Sequence, residues 1–192
     1  NQRAAELGME DTTFKNACGL PAEGHVTSAY DIALMSRELM LHHPDIRNYT
    51  TIWMDTLRGG TSSLVNTNKL VRFYDGTTGL KTGSTNAAGY CISATAERDG
   101  MELIAVILKG KTSAERFQDA QSLLNYGFAN FTAWTPPEES CAAVPVTLGR
   151  ADTVALRMEG DSVCVLEKSA VSTVEAERRV PESLTAPVEE GQ

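Results

Sequence analysis

Between Ala29 and Met40 the apolar residues Ala29, Ile32, Ala33, Met35, Leu39 and Met40 recur every three or four positions. That period predicts an amphipathic helix. Thr27 or Ser28 can cap it, Asp31 suits the positive end of its dipole, and Pro44 ends it. Upstream, RAAEL reads as the end of a helix closed by Gly8, and the turn-forming residues from Met9 to Val26 read as loop. Thr50 to Leu57 is β-branched and aromatic enough for a short strand, which Gly59-Gly60 breaks. A polar loop containing Asn66 and Asn68 follows. From Tyr90 the period becomes two: Tyr90, Ile92, Ala94 and Ala96 alternate with Cys91, Ser93 and Thr95. Arg98-Asp99-Gly100 turns the chain into MELIAVIL, a continuous apolar run that predicts a central strand covered on both faces. The short connection makes the two strands an antiparallel hairpin. Ser113 then opens a long helix with Phe117, Ala120, Leu124, Gly127, Phe128 and Phe131 as its buried stripe.

After Trp134 the texture changes and aromatic residues cease. Short β-like runs (VPVTL, TVALRM, SVCVLE, STVEAE) stand between Gly, Asp and Ser. The pattern is therefore an α+β domain over residues 1–135, an antiparallel sheet with packed helices, followed by a small β-rich domain over 136–192. Fifty-odd residues are few for a free-standing β domain, and the start reads as a helix caught in mid-course, so the chain is expected to be cut at both ends.

Composition narrows the function. With 42% hydrophobic and 22% charged residues the chain can bury a core. Its net charge of −8 is uneven: residues 136–192 carry 11 acidic and 5 basic side chains, the rest 14 and 12. An acidic chain without a Lys/Arg stripe argues against nucleic acid, whose binding rests on phosphate neutralisation. No apolar run can cross a bilayer and no secretory leader opens the chain, so any membrane association would run through segments absent from it. Cys18, Cys91, Cys141 and Cys164 are scattered, with no ligand spacing. They read as buried free thiols, with Cys141–Cys164 the one candidate pair. His42 and His43 suit a helix C-terminus better than a metal or a catalytic centre. No metal or organic cofactor is indicated.

The stretch GLKTGSTNAAGYCISATA holds the candidate chemistry. Lys81-Thr82-Gly83-Ser84 enters a strand, so Lys81 and Gly83 point one way and Thr82 and Ser84 the other. Gly83 lets a ligand backbone come close, and an extended peptide could add to this edge as a further strand. The hydroxyls of Thr82 or Ser84 could grip a carboxylate while Lys81 supplies positive field.

Lys-Thr-Gly on a sheet strand is a signature shared by penicillin-binding proteins and class A β-lactamases. LGMEDTTFKNACGL and GLKTGSTNAAGY, with the text around them, resemble the serine-type D-alanyl-D-alanine carboxypeptidases, the low-molecular-mass penicillin-binding proteins. The likeness covers residues 1–135, and the tail more loosely resembles the start of their β-rich C-terminal domain. The resemblance implies a DD-peptidase/β-lactamase-like sheet. It makes Lys81 catalytic and Lys81, Thr82, Gly83 and Ser84 substrate-binding, and Arg116, in KTSAERFQDAQ, the holder of the substrate's terminal carboxylate. It implies a bacterial, extracytoplasmic enzyme acting on peptidoglycan stem peptides that end in D-Ala-D-Ala, with β-lactams as inhibitors. The family's nucleophilic Ser-x-x-Lys and its Ser-x-Asn are not found in a matching context. Ser36-Arg37-Glu38-Leu39 lacks the lysine, and Ser62, Leu64 and Asn66 have the wrong spacing. The 192 residues by themselves are expected not to hydrolyse a substrate. A class A β-lactamase-like hydrolase and a non-catalytic peptidoglycan-binding module are the alternatives.

Overall fold

A computed structural model describes residues 1–136, 143–156, 163–175, 177 and 179–189. The chain divides into two compact units, Asn1–Ala129 and Asn130–Gln192.

The first unit is built on an antiparallel sheet of three strands, β3 (Thr77–Thr85), β4 (Gly89–Arg98) and β5 (Met101–Gly110), in the order β3-β4-β5. Asp99 and Gly100, at φ 51° and 74°, form the two-residue β4–β5 turn, where both central positions need the left-handed region. The strand in the middle is β4, from the alternating segment, and not the apolar run that forms β5. The reason is that β5 owes its apolar character to cover on its two faces, which lateral position in the sheet does not set. Helix α2 (Ala29–His42) packs on one face, and α5 (Ser113–Asn130) on the other.

The α5 face is apolar. Ile92, Ala94 and Ala96 of β4 and Ala105 of β5 meet Phe117, Ala120 and Leu124, with Leu103, Ile107 and Phe128 packed alongside. Gly127 is small because a Cβ there would stand 2.4 Å from Leu103 Cδ1. Phe131 leaves the predicted stripe: it begins β6 (Phe131–Trp134), which pairs with β9 (Cys164–Glu167) in the second unit. The opposite face of β4 carries Ser93 and Thr95, both buried. Ser93 Oγ lies 2.7 Å from Ser36 Oγ of α2, so Ser36, which the apolar pattern passes over, is at the centre of that contact. Met35, counted with the apolar face, is 38% exposed.

The ends of elements follow local chemistry. Helix α1 (Gln2–Glu6) closes on Gly8 at φ 75°, with Met9 N donating to Ala4 O and Gly8 N to Ala5 O. Ser28 caps α2 by accepting from Asp31 N. Asp31 does more than face a dipole: it is buried and accepts from Asp11 N and Thr12 Oγ1, fastening the preceding loop. At α5 the capping hydroxyl is Thr112, not Ser113, since Thr112 Oγ1 accepts from Glu115 N. The predicted 50–57 strand shortens to β1 (Met54–Leu57), because Arg47–Thr50 forms the short helix α3. β1 pairs with β2 (Ser62–Val65), and α4 (Leu70–Phe73) leads into β3.

Among the described residues the second unit holds only strands and one 3₁₀ turn. β7 (Val144–Thr147) runs between β8 (Thr153–Val154) and β10 (Leu184–Thr185). The expected STVEAE strand is replaced in part by the 3₁₀ turn Val171–Thr173, whose Thr173 hydroxyl donates to Ala170 O in competition with a ladder. Part of TVALRM lies outside the described residues, as does Cys141. Cys18 and Cys164 are exposed rather than buried, because each sits where no core covers it.

Candidate functional site

Strand β3 is one of the two edge strands of its sheet among the described residues. Register opposes Lys81 to Ser93, Thr82 to Ile92 and Gly83 to Cys91. Alternation therefore puts Lys81 and Gly83 on the hydroxyl-rich face and Thr82 on the α5 face. Thr82 is 7% exposed, Lys81, Gly83 and Ser84 are exposed, and a Cβ at Gly83 would meet nothing within 4 Å. A ligand backbone can lie flat against this glycine. Lys81 Nζ donates to Thr82 O on its own strand.

Arg116 reaches the same stretch from α5. Its Nη1 donates to Gly83 O at 3.2 Å and to Cys91 O at 3.1 Å, and Nη2 lies 3.4 Å from Ser113 Oγ. Thus the two cations bond adjacent carbonyls of β3, Lys81 that of Thr82 and Arg116 that of Gly83. Arg116 is 6% exposed and stacks near the rings of Phe117 and Tyr90, at 4.6 and 5.6 Å from their centroids. Burial holds its pKa below the ordinary arginine value, partly offset by the Cys91 thiol and the Tyr90 hydroxyl. A guanidinium keeps its charge all the same. Among the described residues neither Arg116 nor Lys81 forms an ion pair, and Arg116 Nε has no partner. A buried charge without a counterion is costly, and an anion brought to it removes that cost.

The other half of the β3 edge is closed by Thr50, which the sequence pattern assigns to a strand, and by residues of the polar loop around Asn68. Thr50 Oγ1 donates to Thr78 O at 2.6 Å, and Asn68 Nδ2 donates to Gly79 O at 2.9 Å. Thr78 Oγ1 meets Glu102 Oε1 at 2.7 Å, and Arg47 Nη2 donates to Glu102 Oε2 at 2.6 Å. Thr67 Oγ1 lies 2.6 Å from Thr82 Oγ1. The only trace of this in the sequence is Asn-Thr-Asn itself, residues suited to bonding nearby backbone. No group of three His, Cys, Asp or Glu gathers among the described residues as a metal site, and none of their helices is long and apolar enough to cross a membrane.

An antiparallel sheet with helices on both faces and a Lys-Thr-Gly edge strand defines an α+β penicillin-binding fold. Residues 1–112 match the family described as D-alanyl-D-alanine carboxypeptidase, and the chain belongs to it. The D-alanyl-D-alanine carboxypeptidases DacF of Bacillus subtilis and DacC of Escherichia coli are 36% and 31% identical over the whole chain, which covers 51% and 48% of their lengths. The chain thus spans about half the length of the curated relatives it matches. Penicillin binding protein 5 of Haemophilus influenzae superposes with a TM-score of 0.75 at 26% identity, covering 100% of this chain and 57% of that one. A penicillin-binding protein of Listeria monocytogenes, solved with cefotaxime bound, gives 0.62 at 39% identity over 67% of this chain and 53% of that one.

Proposed function

We propose that this chain is the substrate-aligning part of a serine-type D-Ala-D-Ala carboxypeptidase of the bacterial cell envelope. The observation that carries the reading is Arg116: a buried guanidinium, unneutralised among the described residues, held against the strand that bears Lys81, Thr82 and Gly83. In this reading a stem peptide ending in D-Ala-D-Ala lies along the free half of β3 past the open face of Gly83. Its terminal carboxylate meets Arg116 and the hydroxyls of Thr82 or Ser84, and Lys81 supplies positive field beside the reacting carbonyl. The acylated serine and its lysine base lie outside these 192 residues, which on their own align a substrate without cleaving it. β-Lactams, which present a carboxylate beside a strained amide, occupy the same edge.

The test is fluorescent penicillin labelling of the complete gene product. One labelled serine outside residues 1–192 is expected, with labelling slowed about a hundredfold by Arg116→Ala, as for loss of a charge-assisted hydrogen bond and its ion pairing. A folded product that takes no label overturns the enzyme and leaves the peptidoglycan-binding module.

A further inference from the structure

Thr67 has no part in the reading above, yet its hydroxyl is the partner of the buried strand hydroxyl that reading uses. We infer that Thr67 is a positioning residue, which fixes the Thr82 hydroxyl so that its proton is delivered to an anionic group bound at the β3 edge. The inference rests on the proposed role of that edge.

The argument begins with the donor count. Thr67 Oγ1 and Thr82 Oγ1 are 2.6 Å apart, and either can be the donor. A carboxylate only accepts. When Thr82 donates to a carboxylate its oxygen is left to accept, and Thr67 is the donor in reach. The ligand therefore selects one direction, Thr67 O–H to Thr82 O–H to carboxylate, in which each bond polarises the next. Thr82, 7% exposed and β-branched, has little freedom to look elsewhere. Thr67 is exposed, so water can satisfy its own lone pairs.

The residues on either side show why Thr67 stays in place. Asn68 is 2% exposed; its Nδ2 donates to Gly79 O and its Oδ1 accepts from Leu70 N at 3.1 Å. Asn66 Oδ1 accepts from Asn68 N at 2.9 Å, and its Nδ2 donates to Ile52 O at 2.9 Å and Thr50 O at 3.2 Å. Two asparagines pin the loop to β3 and to the segment before β1. The threonine between them is thereby held over Thr82.

The experiment measures acylation of the complete gene product by benzylpenicillin and by its methyl ester, with Thr67→Val and Thr67→Ser. Valine keeps the shape and removes the O–H; serine keeps the O–H. The expected result for Thr67→Val with benzylpenicillin is a half-saturating concentration raised about tenfold, the loss of one hydrogen bond, with little change in the limiting rate. Thr67→Ser stays within about twofold of the parent, and the valine penalty disappears with the ester, which lacks the anionic acceptor. Equal half-saturation for Thr67→Val and the parent overturns the inference. So does an equal loss in Thr67→Ser, or a penalty that persists with the ester, since either marks a purely structural tie. If Thr67→Val does not fold, Thr67→Ala takes its place. A parent protein that is not acylated at all overturns the site reading itself, and this inference with it.

Discussion

The two faces of strand β4 differ in what holds them. On the α5 side Ile92, Ala94, Ala96, Ala120 and Leu124 are all at or below 1% exposure and meet without a polar contact among them. On the α2 side Ser93 and Thr95 are also buried, but each is met by a hydroxyl, from Ser36 and Thr78 respectively. Apolar contact has no direction, so the first face depends on volume. A buried hydroxyl needs a partner at one distance and angle, so the second face depends on pairing. Arg116 crosses this division. It is a cation rooted in the apolar stripe, and its Nη1 donates to a carbonyl of β3 and another of β4.

The contrast breaks first, if it is wrong, at Leu124. Leu124→Ala should destabilise the protein by about 3 kcal/mol through lost burial and a residual cavity, read as a shift in the urea midpoint at constant slope. A loss below about 1 kcal/mol would show that the face closes over the gap and is not tightly packed. On the other face Ser36→Ala strands the Ser93 hydroxyl, 6% exposed, and should cost about 1–2 kcal/mol. The double change Ser36→Ala/Ser93→Ala should recover most of that, because no hydroxyl is then left without a partner. Additive losses would make this face a matter of packing like its opposite. The smallest effect lies at the surface, where Arg3 and then Gln2, both hydrogen-bonded to it, hold the Glu6 carboxyl below its ordinary pKa. Its contribution is present above the usual carboxylate range, about pH 4.3. It is lost as the pH falls through the lowered value. Because the pair is open to solvent, Glu6→Gln at neutral pH should loosen α1 in its amide exchange and leave the global melting temperature unchanged.

Local pattern disclosed what local physics controls. The period of α2, the alternation of β4, the Asp99-Gly100 turn and the stripe of α5 were readable because burial on one or both sides leaves a repeat in the residues themselves. Lys81, Thr82 and Gly83 stood out as candidates because their motif is contiguous, and Arg116 because its surroundings resemble a known segment. Thr67 and Asn68 went unmarked, since a loop that bonds to a strand edge has no period. Ser36 was hidden for a related reason: a serine on an apolar stripe looks like an interruption until its partner, 57 positions away, is in view.

What residues 1–192 determined alone was the inventory: helices on a hairpin, a β-rich tail, an acidic surface and a Lys-Thr-Gly strand in a recognisable family. The order β3-β4-β5, the approach of Arg116 to the carbonyl next to the one Lys81 holds, and the closure of half the β3 edge by Thr50 and Asn68 were decided only in three dimensions. Each of these joins groups far apart along the chain. Propensity and period act over a few neighbouring residues, whereas such pairings arise only when the burial of both faces brings the strands and helices together.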